Sequence, residues 1–432
     1  MKILIKGGHV IDPHNNRDGI FDIYIEDGVI QEIEPSLDYD YDGIDMEVIE
    51  ADGLIVAPGL IDMHCHLRDP GFEYKEDIET GTKSAAMGGF TSVACMPNTD
   101  PVVDNKTVVE YIISKARQNG VVNVYPIGSI TKGMRGEELA DIGEMKFAGI
   151  VAVSDDGRPV ENPVIMRRAM QYANMFVTPV ISHCEDMSLV DGGSMNEGAV
   201  STELGLRGIT RAAEEAMLSR ECILSEALNL PVHIAHVSTR GGIDLIRNAK
   251  ARGAQVTCET CPHYFSLTEE AVRGFNTFAK MNPPLRTEDD VEAVKEGLRD
   301  GTIDVIATDH APHEPDSKNV EFELAANGIV GFETALPLSI TNLVETGVLT
   351  YSELIEKMCV KPAEILGLNK GSLGVNKPAD LVIFDPKKEF LVDTNKFQSK
   401  SKNSPFGGFT LRGQVVYTIV NGNIVVRQGE II

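Results

Sequence analysis

The stretch Leu60-Ile61-Asp62-Met63-His64-Cys65-His66 decides how this chain folds. It opens as a short apolar run and ends in two histidines one residue apart. Strand side chains alternate with period two, so both imidazoles leave the strand on one side and Cys65 on the other. Moving outward, seven more short, β-rich runs follow at 91–96, 122–127, 150–154, 177–183, 232–237, 255–264 and 304–309. Most are separated by segments whose apolar residues recur at three- and four-residue steps, as in 107–118 and 212–228. Strands alternating with helical crossovers make a parallel sheet, and eight such units predict a TIM (β/α)8 barrel over 59–368. An open doubly wound sheet is the alternative, but the Gly-rich phosphate-binding turn that would recommend it is missing after the first strand.

The two chain ends carry a different pattern. Runs at 3–11, 21–33 and 47–56, separated by Gly, Asp and Asn clusters, have the look of a β-meander. Near the C-terminus 380–384, 390–392 and 414–426 look alike, the last broken by the hairpin signal Asn421-Gly422. Neither end has strands enough for a two-layer core alone. Together, 1–58 and 369–432 are expected to form one small, discontinuous β-sandwich domain beside the barrel, an α/β chain overall.

Composition removes several classes of function. Of 432 residues, 65 are acidic and 39 basic, a formal net charge of -26, so the long-range field repels nucleic acid and anionic membranes. The longest apolar stretches fall far short of the roughly 20 residues that span a bilayer. The opening MKILIKGGHVID lacks the apolar core and cleavage site of a signal peptide, so a cytoplasmic protein beginning near Met1 is expected. Seven scattered cysteines do not resemble a disulfide framework. Cys258-x-x-Cys261 has no second pair to complete a zinc site, which leaves two thiols on a buried strand.

Barrel chemistry sits at the C-terminal ends of the strands. Strand one ends in His64 and His66, strand four in Asp155-Asp156, strand five in His183, strand six in His236 and strand eight in Asp309-His310. One histidine at a strand end is more often a hydrogen-bonded core residue than a ligand. Four histidines and two aspartates at one end of one barrel converge on a small volume, and imidazole with carboxylate suits Zn2+. Six ligands are too many for one tetrahedral zinc. They suit two ions sharing a bridging carboxylate and a bridging hydroxide, which keeps a nucleophile available at neutral pH. Spacing alone leaves Asp155 and Asp156 both open as the bridge; His9, His14, His233 and His263 lack such company and are taken as structural.

Four motifs carry a family resemblance: Asp62-Met63-His64-Cys65-His66-Leu67-Arg68-Asp69-Pro70-Gly71, Cys95-Met96-Pro97-Asn98-Thr99, Cys261-Pro262-His263-Tyr264 and Thr308-Asp309-His310-Ala311-Pro312-His313. The chain resembles the bacterial-type dihydroorotases of the amidohydrolase superfamily over nearly its whole length. HxH alone is weak, but HxH followed by Leu-Arg, together with DHAPH, is specific. The resemblance implies a first zinc on His64, His66 and Asp309, a second on His183 and His236, and Asp156 bridging where the wider superfamily commonly uses a carboxylated lysine. It assigns substrate contacts to His66, Arg68, Asn98, Asn282 and His313 and to the loop backbone at Asn327 and Gly328.

The implied activity is reversible cyclisation of N-carbamoyl-L-aspartate to (S)-dihydroorotate and water in pyrimidine biosynthesis. A hydroxide bridging the two zinc ions attacks the ring amide, and Asp309 shuttles the proton. Arg68 suits this chemically, since a guanidinium can hold a substrate carboxylate bidentately; its bland alternative is a salt bridge with Asp69 or Glu73. For Asn98 and Asn282, each in a Pro-flanked turn, the alternative is an ordinary turn asparagine. The long polar segment 311–327 is expected to act as a lid that carries His313. The resemblance also implies a homodimer and leaves open association with aspartate transcarbamoylase. The rivals are a hydantoinase, dihydropyrimidinase or allantoinase, which share the barrel and paired metals, and an inactive scaffold relative lacking the ligands.

Overall fold

Leu60–Cys65, Phe90–Cys95 and Asn123–Pro126 pair in parallel as one arc, and Val153–Ser154, Val180–Ser182, Val232–Ile234, Val256–Thr260 and Val305–Ile306 as a second. Parallel bridges Gly128 to Val153 and Cys65 to His310 join the arcs into a closed barrel. This is the fold in a computed structural model that describes residues 1–38 and 46–432. A buried cluster takes Met63, Ala94, Ile127, Ala152, Ile181, Ala235 and Ala307 from seven of the eight strand regions. Side chains drawn from around a ring meet one another only inside it.

Most of the strands are shorter than their sequence runs. At the mouth, backbone amides leave the ladder for side-chain acceptors, as where Thr308 N–H donates to Asp62 Oδ1 at 2.9 Å. The run 255–264 stops as a strand at Thr260, and Pro262–Phe265 is a 3-10 turn, because Pro262 has no N–H to continue the ladder. Between strands lie the crossover helices; Lys106–Asn119 and Ala212–Leu228 coincide with the two periodic segments to within a residue.

Strands from both chain ends form a single nine-stranded sheet. The seam is Leu381–Leu391 running antiparallel to Ile55–Pro58, with Leu381 opposite Pro58 and Ile383 opposite Val56. Lys2–Asp12 changes partner along one edge: Ile3 to Lys6 pair with Glu47–Glu50, and His9 and Val10 with Ile55–Pro58. The switch falls at Gly7-Gly8, where the register slips, Gly7 has φ +67°, and a Cβ on Gly8 would lie 2.5 Å from Val56 Cγ2. This corrects the simple meander, since the 47–56 region returns parallel to the first strand. The run 21–33 is likewise two strands, Arg17–Glu26 and Val29–Glu34, split at Asp27-Gly28 with φ 50° and 82°. Asn421-Gly422 turns the chain between Thr410–Val420 and Asn423–Arg427, as its sequence indicates. Ile3, Ile5, Ile23, Ile25, Leu381, Ile383 and Ile419 share the buried core of this domain. Among the described residues no helix is long and apolar enough to cross a membrane.

Candidate active site

Asp156 lies at the centre of the strand ends. Its Oδ1 is 3.4 Å from His64 Nε2, 3.3 Å from His183 Nδ1 and 3.5 Å from His236 Nε2, and its Oδ2 is 3.5 Å from His66 Nε2. Asp309 Oδ1 approaches His66 Nε2 at 3.1 Å and His64 Nε2 at 3.6 Å. The residues form two groups, His64–His66–Asp156 and Asp156–His183–His236, with the ligand atoms of each within 4.8 Å of one another. All six side chains are buried. Asp155, one residue away, points elsewhere: it accepts from Ile130 N–H at 2.7 Å, from Thr131 N–H at 3.1 Å and from the Thr131 hydroxyl. The adjacent carboxylates thus divide the work, one fixing a loop and the other facing four imidazoles.

The backbone is bent to present these groups. Arg68, His236 and Asp309 have φ of 61°, 35° and 46°, a left-handed region that costs a non-glycine residue roughly 1–3 kcal/mol. Asp62 helps to hold the last of these, accepting both the N–H and, at 2.6 Å, the hydroxyl of Thr308.

Three of the four histidines are braced on the ring nitrogen turned away from the cluster. His64 Nδ1 is 2.5 Å from Glu259 Oε1, and the other oxygen of Glu259 is 3.2 Å from His233 Nε2. His66 Nδ1 meets Asn98 Oδ1 at 2.9 Å. His183 Nε2 meets Glu185 Oε2 at 3.1 Å, and that oxygen also accepts from Asn282 Nδ2 at 2.9 Å. Such partners fix the tautomer and orientation of a metal-binding imidazole. Neither glutamate stands out in the motifs. Glu259 carried one signal, the one charged residue in a β-rich barrel run, and Glu185 another, its place two residues beyond His183. His233, read as structural, is the partner that completes the Glu259 brace.

The cluster is built for positive charge. Burial lowers the imidazole values, yet Asp156, Glu259 and Asp309 raise His64 well above its ordinary value, and Asp156 and Glu185 raise His183 to about 10. Burial would raise Asp156, but the surrounding imidazoles hold it well below the usual carboxylate range. Among the described residues, His64 Nε2 and Asp156 Oδ1 are buried polar atoms with no hydrogen-bond partner, and they face one another. Four imidazoles and two carboxylates with inward atoms left unsatisfied fit a divalent metal centre.

The remaining predicted contacts line the mouth. Arg68 has no carboxylate within 4.0 Å among the described residues; its Nε donates to Pro312 O at 3.3 Å and its Nη2 lies 3.4 Å from His313 Nε2. Asp69 takes Lys115 at 2.7 Å in place of Arg68. Burial lowers the Arg68 guanidinium to about 10, so it is charged at neutral pH. His313 Nε2 meets Asn327 O at 2.8 Å, and burial, with Arg68, Lys318 and Lys75 nearby, pushes its pKa down to about 2. Gly328 has φ +114°, and a Cβ there would stand 2.5 Å from Ala311 Cβ. The segment 311–327 is pinned at one point by the buried Lys318 ammonium, which donates to the carbonyls of Thr277, Lys280 and Ala326 at 2.6–3.3 Å.

A TIM barrel with this buried His/Asp centre and a sheet domain drawn from both chain ends defines a metal-dependent amidohydrolase. The model of the amidohydrolase family matches residues 232–426, and the model described as dihydro-orotase-like matches residues 53–242. Curated dihydroorotases of Acetivibrio thermocellus and Ruminiclostridium cellulolyticum are 66% and 60% identical over 426 and 428 residues, covering 99% of this chain and 99% of each relative. Among solved structures, the L-hydantoinase (dihydropyrimidinase) of Arthrobacter aurescens aligns with a TM-score of 0.87 at 26% identity, covering 100% of this chain and 97% of that one. The chain belongs to the dihydroorotase family.

Proposed function

We infer that this protein interconverts N-carbamoyl-L-aspartate and (S)-dihydroorotate, with His64, His66 and Asp309 holding one zinc ion, His183 and His236 a second, and Asp156 bridging both. The observation that carries it is Asp156, one carboxylate facing four imidazoles at 3.3–3.5 Å, with Asp309 beside it. When bound, the paired metal lowers the pKa of water and polarises an amide carbonyl. The protein's own groups do the rest. Arg68 pairs with the substrate carboxylate, which orients the ring, and Asn98, Asn282, His313 and the backbone at Asn327 and Gly328 surround it. In the hydrolytic direction Asp309 accepts the proton of the attacking water and delivers it to the ring nitrogen as the C–N bond breaks. In synthesis Asp309 takes that proton back from the carbamoyl nitrogen as it attacks the side-chain carboxyl, and returns it as water leaves.

Arg68 favours this substrate over the hydantoin or dihydropyrimidine of the structural neighbours, because it offers a half-buried positive charge with no internal carboxylate partner among the described residues. The six filled ligand positions disfavour an inactive scaffold. A homodimer, with association with aspartate transcarbamoylase left open, rests on the family resemblance. The test is Asp309→Asn. It should keep dihydroorotate binding within a few-fold and lose about 10²–10⁴ of turnover, the usual contribution of a general acid–base. Near-normal kcat at full metal content would remove Asp309 as the shuttle.

A further inference from the structure

Residues 398–406 lie between two strands of the terminal sheet, yet they cross to the barrel rim. Ser399 Oγ and Lys400 N–H both donate to the buried Glu76, and Ser401 Oγ donates to Lys75 O at 2.6 Å. The strap brings one buried side chain, Asn403, between the two loops that carry the mouth of the site. Asn403 Nδ2 donates to Ala311 O at 3.1 Å and to Gly328 O at 3.0 Å, while its Oδ1 accepts from His313 N–H at 3.1 Å. Its own carbonyl accepts from Val330 N–H at 3.0 Å.

We propose that Asn403 is a positioning residue for substrate recognition, through which the terminal domain sets the geometry of the loops at His313 and Gly328. The proposal rests on the substrate contacts inferred above for those loops. The hydrogen-bond inventory explains why an asparagine stands here. The position must donate twice to carbonyls and accept once from an amide, and a primary amide does both from one planar group. Aspartate has the same shape but offers acceptors where two carbonyls need donors. Alanine removes all three side-chain bonds without adding charge. Among the described residues Asn403 forms no hydrogen bond with any of the six residues of the metal centre, so its loss should act mainly on the rim.

The variants Asn403→Ala and Asn403→Asp, prepared as full-length, metal-loaded enzyme, test this. The expected result is a KM for dihydroorotate raised about tenfold or more in Asn403→Ala, which loses all three side-chain bonds that hold the two loops, and at least as much in Asn403→Asp. Turnover number and bound metal per subunit should stay within about threefold of the parent. A purely structural role would lower Tm and the active fraction while leaving the KM of the folded enzyme unchanged, and that outcome overturns the proposal. Should the aspartate variant not fold, Asn403→Ala alone decides the matter by the same KM criterion. His313→Ala separates the two ways of failing. An unchanged KM in that variant refutes the substrate role of the loop itself; a raised KM there with unchanged KM in the Asn403 variants refutes the role of Asn403.

Discussion

Replacing Arg68 with methionine should erase most of the preference for a substrate bearing a carboxylate. The guanidinium is half-buried, is charged at neutral pH and meets no carboxylate within 4.0 Å among the described residues, so an anionic ligand would be its first full partner. A charge-assisted hydrogen bond contributes about 1.5–3 kcal/mol, and a bidentate pair makes two that are not fully additive. A net loss of about 3 kcal/mol corresponds to a fall of roughly 10²-fold in kcat/KM for dihydroorotate. Dihydrouracil has the same ring without the carboxylate and should change by no more than a few-fold. Methionine adds no new backbone strain, since Arg68 already occupies φ 61° as a non-glycine residue. The assay is ring opening followed by ultraviolet absorbance for both compounds, with metal content measured on the same samples. Arg68→Lys, which keeps the charge but not the planar fork, should fall between the two. A ratio of kcat/KM for the two substrates that stays at the parent value in folded, metal-replete Arg68→Met would refute Arg68 as the carboxylate anchor.

Two further outcomes follow from the braces behind the metal-binding histidines. Glu259→Gln should weaken metal retention by about 10–100-fold, read by chelator competition, because His64 loses the carboxylate that fixes its ring; parental retention would show that Glu259 merely fills space. Metal binding should also release protons, since His183 is raised to about 10 and His64 well above its ordinary value in the metal-free cluster. A raised histidine stabilises the metal-free fold fully below its unfolded value near 6.5 and loses that contribution as pH climbs toward 10. The Tm gap between metal-loaded and metal-free protein should therefore widen between pH 6.5 and 9, with proton release seen by calorimetry in buffers of different ionisation enthalpy. A gap that narrows over that range would contradict the charge state of the cluster.

The barrel and its ligands were legible because both are periodic. Period-two strands place His64 and His66 on one side, and every strand that ends in a ligand type ends at the same rim. What sequence left open depends on partners supplied by folding. Asp155 and Asp156 are neighbours of one kind, and only the amides of Ile130 and Thr131 separate their roles. Glu259 and Asn403 bear on the site from strand seven and from the terminal domain, so no local motif contains them. Asn98 and Asn282, read as substrate contacts or turn residues, also brace His66 and, through Glu185, His183. In the terminal sheet, Asp27-Gly28 carried a hairpin signal inside a continuous β-rich run. The change of partner at Gly7-Gly8 had no signal beyond two adjacent glycines.

The central claim is that this buried His/Asp centre, with Arg68 at its mouth, works on dihydroorotate. The direct measurement is hydrolysis of dihydroorotate, hydantoin, dihydrouracil and allantoin side by side on one metal-replete preparation. Dihydroorotate should exceed each of the others in kcat/KM by at least about 10²-fold, the selectivity expected of a site built around a charge partner for its carboxylate. Equal or faster turnover of hydantoin or dihydrouracil would contradict it.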